Sequence, residues 1–211
     1  MTIDDFDIIV STVHESDRLD RLFRYFHAAG IVRFMLDYEP RYTSKPPIKF
    51  YRAGGYGCGL HFAEIQEKMP HRHLIYFEDD AIIRPDFCEV LNRHLSELPA
   101  DWKVFAAGYA QHSELKNKTA NRVSNRIRRN VTMLSGTQCL LLKAGEWRLT
   151  LAEEIRNHRF YRWIVTGGFD RNLAQWCRAT GNAFYCAAKS FVGQSDCVSL
   201  ITGRHRERHG L

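Results

Sequence analysis

The sequence predicts an α/β protein: a single domain with a mostly parallel central sheet flanked by helices. Short apolar runs that suit buried strands alternate along the chain with segments whose apolar residues recur at helical spacing. The chain has 211 residues, 45% of them hydrophobic, which is enough for one sizeable core and too little for two. Its 12% aromatic share, 14 glycines and 6 prolines are typical of a globular chain rather than a disordered one.

The first half of the chain predicts three strands and three helices. The strands are expected at 7–13, 31–36 and 74–77. The helices are expected at 19–26, with Asp17 as the N-cap, at 60–68, and from Pro85 to about Leu95. A loop is expected at 37–47, and the clustered glycines Gly54, Gly55, Gly57 and Gly59 predict a turn before the second helix.

The second half predicts strands at 102–107, 139–142 and 183–187 and helices at 145–155 and 170–179. Between them, the polar and basic stretch 111–130 lacks an apolar period and is expected to be a long mobile loop.

The positive charge is concentrated in two patches. The formal net charge is +6 and the pI is about 9.1. One patch spans Lys116 to Arg129 and contains no acidic residue, and the other lies in the tail 203–211, from Arg204 to His209. Such patches favour polyanions, namely nucleic acid, an anionic lipid surface or the diphosphate of a nucleotide, although each patch alone is also compatible with a solvated face.

Targeting signals are not evident. The first residues are acidic where a secretory signal would be basic, and no segment approaches the roughly 20 apolar residues of a membrane span. We therefore expect a cytoplasmic protein with no membrane span. The six cysteines include no CxxC pair, so buried reduced thiols are expected.

The acidic triplet Glu78-Asp79-Asp80 follows directly on the most apolar predicted strand. Ligands of open α/β sheets bind beyond the carboxyl ends of the strands. Adjacent carboxylates repel one another, and a divalent cation such as Mg²⁺ or Mn²⁺ would relieve this while also binding nucleotide phosphates. The alternative is an acidic first turn of the next helix, complementing its dipole.

A resemblance to a known family rests on this region. Gly57-Cys58 followed by a helix, and then the segment LIYFEDDAIIRPDF at 74–87, resemble glycosyltransferase family 25 and its lipopolysaccharide-type members. The resemblance extends in order from Asp7 to about Ser199, through three weaker segments: 11–18, 136–142 and the pair Gln194 and Ser195. Two features depart from the family pattern. The family has a Ser-His pair after the Gly-Cys turn, and His61 stands at the position of the serine of that pair. The segment 111–130 has no counterpart in the family.

The resemblance implies a GT-A fold, a nucleotide-diphosphate sugar donor, most simply a UDP-sugar, and Mn²⁺ or Mg²⁺. It assigns Asp80 to the metal, and Glu78 or Asp79 to the ribose or to a metal-bound water, with Glu78 as a further candidate for the metal. It places three residues in the nucleotide pocket: Ser11, Thr12 and Arg18.

Two further site residues are expected. Asp170 resembles the family's late Asp and is a candidate base for the acceptor hydroxyl, or alternatively the N-cap of its helix. His205, or His209, is a candidate third metal ligand from the tail, or alternatively a solvated side chain.

The acceptor is left open by the sequence. The family resemblance favours a saccharide, whereas the basic patches favour a hydroxymethylated base in DNA, which would have to be flipped into a pocket. Two other classes of function stay open: a non-catalytic module that binds a nucleotide sugar or nucleic acid, and a metal-dependent nuclease or phosphotransferase.

Overall fold

The computed structural model describes residues 1–12, 17–38, 53–108, 121–129, 138–163 and 169–194. The α-helices in these ranges are α1 (Asp17–Ala28), α2 (Ala53–Lys68), α3 (Phe87–Glu97), α4 (Trp147–Arg156) and α5 (Phe169–Ala179). The strands are β1 (Phe6–Thr12), β2 (Met35–Tyr38), β3 (His73–Glu78), β4 (Ala81–Ile83), β5 (Trp102–Ala106), β6 (Asn121–Arg122), β7 (Ile127–Arg129), β8 (Cys139–Leu142), β9 (Ala183–Ala187) and β10 (Val192–Gln194). Two short 3-10 helices span Ile3–Asp5 and Arg159–Trp163.

The described strands form one main sheet in the order β2-β1-β3-β8-β5-β9-β7-β6. β1 pairs in parallel with β2 and β3, and β5 pairs in parallel with β9. β8 and β7 run in the opposite direction to their neighbours. All the other strands of this sheet therefore point the same way, and the prediction of an α/β fold with a mostly parallel sheet is confirmed.

Helices cover both faces of the sheet. One apolar core lies under α2, α4 and α5 and includes Leu74 and Tyr76 of β3. The other lies under α1 and α3 and includes Ile75 and Phe77 of the same strand. β3 is therefore buried on both faces, which is why its sequence is a continuous apolar run instead of an alternating one.

A second, two-stranded sheet lies next to the acidic triplet. β4 begins directly after Asp80 and pairs antiparallel with β10, so that Ala81 lies opposite Gln194. Neither of these strands was predicted from the sequence. Their pairing brings the late part of the chain back to the triplet.

The glycine cluster was wrongly predicted as a turn, because Gly54, Gly55, Gly57 and Gly59 all lie within α2. At Gly59 the reason is close packing, since a Cβ there would overlap the Tyr161 hydroxyl and would lie 3.5 Å from the Phe169 ring. Glycine lets a neighbouring element approach the helix backbone, at a small cost in helix propensity.

Several element boundaries also differ from the prediction. Residues 31–34 have no regular structure, and β2 begins only at Met35, where pairing with Ile9 of β1 becomes possible. Asp37 is consequently a strand residue instead of a loop residue. Asp17 is the first residue of α1 instead of its cap, and α3 begins at Phe87, two residues after Pro85.

The expected loop at 111–130 is partly a hairpin. Its described residues include β6 and β7, which extend the edge of the sheet and are anchored by the buried Ile127. Two arginines of the basic patch form ion pairs within the protein: Arg126 with Glu97, and Arg129 with Asp101 at 3.0 Å. Part of the patch charge is thus matched locally. Residues 109–120, 130 and the tail 203–211 lie outside the described residues.

The cysteines partly match the expectation of buried thiols. Cys139, Cys177 and Cys186 are buried, as expected, while Cys58 and Cys88 are only half-buried. Cys197 lies outside the described residues.

Across the described ranges, no helix combines the length and apolar character needed to cross a membrane.

Candidate functional site

The carboxyl ends of two adjacent parallel strands define the candidate site. Ser11 of β1 lies directly opposite Glu78 of β3, and Thr12 is the last residue of β1. Ser11 and Thr12 are both buried. This edge is where α/β sheets bind their ligands, because the loops after parallel strands converge there.

Asp79, the middle carboxylate of the triplet, is held by the protein. The Thr12 hydroxyl donates a hydrogen bond of 2.7 Å to Asp79 Oδ2. Arg18, in the first turn of α1, places Nη1 3.8 Å from Asp79 Oδ1. Asp79 is only 8% exposed, so both contacts act where water screens charge poorly. These contacts bring together Thr12, Arg18 and Asp79, which are distant in sequence and were all expected near the nucleotide.

The two outer carboxylates differ in setting. Glu78 is the last residue of β3 and is half-buried, whereas Asp80 is 7% exposed and immediately precedes β4. Side chains alternate along a strand, so Ser11 and Glu78 lie on the face of Ile9 and Tyr76, which is the face covered by α2. Asp79 instead contacts Thr12 and Arg18 on the side of α1. The triplet therefore presents carboxylates to both sides of the sheet edge.

The triplet is not the acidic first turn of a helix. β4 lies between it and α3, whose N-cap position is occupied by Asp86. The helix dipole therefore gives no reason for three adjacent acids at this point.

The triplet is chemically suited to a divalent cation that is also bound by a phosphate ligand. In the described part of the chain, no group of three or more His, Cys, Asp or Glu side chains lies close enough to hold a metal by itself. Mg²⁺ does not require such a group, since one or two carboxylates plus substrate phosphates and water complete its shell. Glu78 and Asp80, on either side of Asp79 at the end of β3, are the two carboxylates that the resemblance makes candidates for the metal. His205 lies outside the described residues.

Asp170 is the second residue of α5 and is half-buried. It is not the N-cap of that helix, although its Oδ1 accepts a hydrogen bond of 2.8 Å from the backbone N–H of Arg171. The preceding Phe169 packs on Phe62 of α2 with ring centroids 4.8 Å apart, and Phe62 packs on Tyr76 of β3 at 5.3 Å. Packed aromatic rings, one pair tilted and one edge-on, thus connect the start of α5 to the strand that ends in the triplet.

Asp37 and His61 were not assigned to the site by sequence reasoning. Asp37 lies opposite Ser11 on β2, and its Oδ2 is 3.6 Å from Nε2 of His61 on α2. Burial lowers the pKa of His61, and the nearby Asp37 carboxylate opposes this. The sequence marked His61 only as a departure from the family pattern, and the proximity of the two residues depends on the pairing of β2 with β1.

No protein-family model and no curated protein matches the chain. Among solved structures, the chain is similar to a glycosyltransferase involved in the glycosylation of the major capsid of PBCV-1, with a TM-score of 0.42 and 9% identity. That similarity covers 75% of this chain and 69% of the other. A similarity this distant identifies neither a family nor a substrate.

Proposed function

We propose that the protein is a glycosyltransferase of the family 25 type, which moves a sugar from a nucleotide-diphosphate donor to an acceptor hydroxyl and requires Mn²⁺ or Mg²⁺. The main support is the arrangement around Asp79, where Thr12 and Arg18 hold the middle carboxylate at the carboxyl end of a buried strand. The carboxylates on either side lie at the same sheet edge, where α/β proteins bind their ligands.

The residues around the triplet match the groups of a UDP-sugar. Ser11 and Thr12 supply hydroxyls next to the acids, and Arg18 supplies a cation close to Asp79 at the same sheet edge. Hydroxyls and carboxylates suit the ribose, and a guanidinium suits the diphosphate. The hydroxyls, the carboxylates and the guanidinium all lie at one sheet edge. A nucleotide-sugar donor requires this, because its polar ribose and its anionic diphosphate are parts of one molecule.

Asp80 would hold the cation, with Glu78 as its neighbour and His205 of the tail as a further candidate ligand. When bound, such a cation neutralises charge on the departing diphosphate. Asp80 is 7% exposed, and the attraction between a carboxylate and a bound cation is stronger where water screens charge poorly.

Asp170 is the proposed base that accepts the proton of the acceptor hydroxyl. It lies in the first turn of α5, which is linked to β3 through the packed rings of Phe169 and Phe62. A general base has to come within hydrogen-bond reach of the hydroxyl. The half-buried position of Asp170 leaves part of the residue accessible to an acceptor.

The acceptor is proposed to be a saccharide, with a hydroxymethylated base in DNA as the second candidate. The exposed arginines of the β6–β7 hairpin, Arg122 and Arg126, favour DNA. The pairing of Arg126 with Glu97 and of Arg129 with Asp101 weakens this argument, because those guanidinium groups already have carboxylate partners. Duplex binding that falls steeply with salt would favour DNA, and no binding at low salt would exclude it.

A thermal-shift screen of nucleotide sugars, with and without Mn²⁺, tests the proposal. A ligand that binds only the folded state raises its apparent stability with the logarithm of concentration. We expect a UDP-sugar together with Mn²⁺ to raise the melting temperature more than either component alone, and sugar transfer to follow. No shift with any donor would refute the proposal. Donor binding without transfer would indicate a binding module, and DNA nicking without a donor would indicate a nuclease.

A further inference from the structure

A row of polar side chains continues from the acidic triplet toward β2. Asp37, Ser11 and Glu78 lie opposite one another on three neighbouring parallel strands. Neighbouring strands are about 4.8 Å apart, so the row spans about 10 Å of the sheet edge. All three residues lie on the face covered by α2, by the alternation of side chains along each strand.

His61 lies at the far end of this row. Its side chain is only 3% exposed, and its Nε2 is 3.6 Å from Asp37 Oδ2. Neither ring nitrogen has a hydrogen-bond partner within the described residues. A buried histidine normally has such a partner, because a buried donor without one has lost its hydrogen bonds to water and gained none in return. A small approach of Asp37 would satisfy the ring.

Two other charged groups act on the pKa of His61, and their effects have opposite signs. They are Glu64 and Lys68, which follow on the same helix. Lys68 Nζ and Glu64 Oε1 are 2.9 Å apart, and both side chains are well exposed. Asp37, with its side chain 31% exposed, is therefore the carboxylate that reaches both the buried ring and the outside of the sheet edge.

We propose that His61 is a positioning residue: its Nε2–H holds one oxygen of Asp37, and the other oxygen of Asp37 is directed to an O–H or N–H group of the nucleotide donor. This inference rests on the proposed function and extends the donor site from the triplet to β2. A row of two carboxylates and a hydroxyl suits a ligand rich in hydrogen-bond donors, which a nucleoside with a ribose provides.

The contact between the two residues is tested without any substrate. The pKa of His61 is measured by NMR in the wild type, in Asp37→Asn and in Glu64→Gln, a matched control that removes a neighbouring exposed carboxylate. A close opposite charge shifts a pKa by about 1–3 units. We expect the His61 pKa to fall by about one unit in Asp37→Asn and by much less in Glu64→Gln. Equal values in wild type and Asp37→Asn would refute the contact, whatever the substrate.

The positioning role is tested on donor binding and turnover. His61→Leu is expected to raise the half-saturating donor concentration about tenfold and to change kcat less than twofold. His61→Gln keeps an N–H near the Nε2 position and should therefore restore much of the donor affinity. The double variant Asp37→Asn/His61→Leu should be no worse than Asp37→Asn, because both changes remove the same contact. His94→Leu removes an equally buried histidine of α3 and controls for lost stability.

The outcomes separate the two proposals. Additive losses in the double variant, no rescue by Gln, or an equal loss in His94→Leu would show that His61 has only a structural role. If the wild type binds no nucleotide sugar at all, the proposed function fails and the donor role fails with it, whereas the NMR comparison still decides whether His61 holds Asp37.

Discussion

The hydroxyl of Thr12, at the end of β1, donates a 2.7 Å hydrogen bond to Asp79 Oδ2, in the segment after β3. The two residues are far apart in sequence and meet because β1 and β3 are adjacent parallel strands. This bond fixes the middle carboxylate of an acidic triplet, so the roles of the three acids can be separated experimentally.

Replacing Thr12 by Val keeps the shape of the side chain and removes the hydroxyl. Hydrogen bonds to charged groups contribute about 1.5–3 kcal/mol, and Asp79 is largely buried. We expect the free energy of unfolding, measured by urea denaturation, to fall by about that amount, and donor affinity to fall as well. Thr12→Ser keeps the hydroxyl and should remain near the wild type. Similar losses in both variants would contradict the role of the hydrogen bond.

Replacing Asp80 by Asn removes one charge at nearly constant volume. If Asp80 holds the metal, turnover that depends on Mn²⁺ should be abolished, and Mn²⁺ should no longer raise the melting temperature with the donor present. Asp20→Asn, on the exposed surface of α1, serves as the matched control. Near-normal metal-dependent turnover in Asp80→Asn would remove Asp80 from the proposed metal site.

Replacing Asp170 by Ala distinguishes catalysis from helix stabilisation. Loss of a base should lower kcat by about two to four powers of ten, whereas loss of a first-turn carboxylate should cost about 1 kcal/mol of stability or less. Comparing steady-state rates with urea denaturation separates the two effects. Asp170→Asn should be as inactive as Asp170→Ala. An active but destabilised Ala variant would assign Asp170 to the helix alone.

Replacing Gly59 by Ala should destabilise the fold. The new Cβ would overlap the hydroxyl of Tyr161, a rigid aromatic side chain packed against α2. Overpacking of this kind typically costs about 1–3 kcal/mol. Thermal unfolding should show part of that loss recovered in Gly59→Ala/Tyr161→Phe, with Tyr161→Phe alone as the reference. Equal stability of the single Gly59 variant and the wild type would contradict this packing.

Stability should decrease in mild acid. Burial lowers the pKa of His61 and of His94 below the usual value near 6.5. Below about pH 6.5 the unfolded chain therefore binds more protons than the folded chain. The stability that these two histidines contribute is complete above that pH, and it is lost as the pH falls toward their pKa values in the folded protein. The slope is at most about 1.4 kcal/mol per pH unit for each histidine.

Urea denaturation between pH 7.5 and pH 5.5, in wild type and His94→Phe, measures this dependence. The Phe ring can keep the stacking of His94 on Phe191, whose ring centroids are 4.6 Å apart, but does not titrate. We expect a shallower pH dependence in the variant. Identical slopes would show that His94 does not contribute.

The amino-acid sequence determined the elements whose signals are local. The apolar run of β3, the helical spacing in α1 and the strands β5, β8 and β9 were predicted close to their observed places. The same local pattern also marked the triplet Glu78-Asp79-Asp80, since three acids directly after a buried strand are conspicuous without any knowledge of the fold. The overall α/β class followed from the alternation of these elements.

Only the tertiary structure decided which elements became neighbours. The period of apolar residues shows which face of a strand or helix is buried, but not which partner covers it. For this reason the antiparallel insertion of β8, the packing of Gly59 under Tyr161 and the proximity of Asp37 to His61 were not evident from the sequence. Thr12 and Asp79 were each assigned to the site, but the hydrogen bond between them depends on the pairing of β1 with β3.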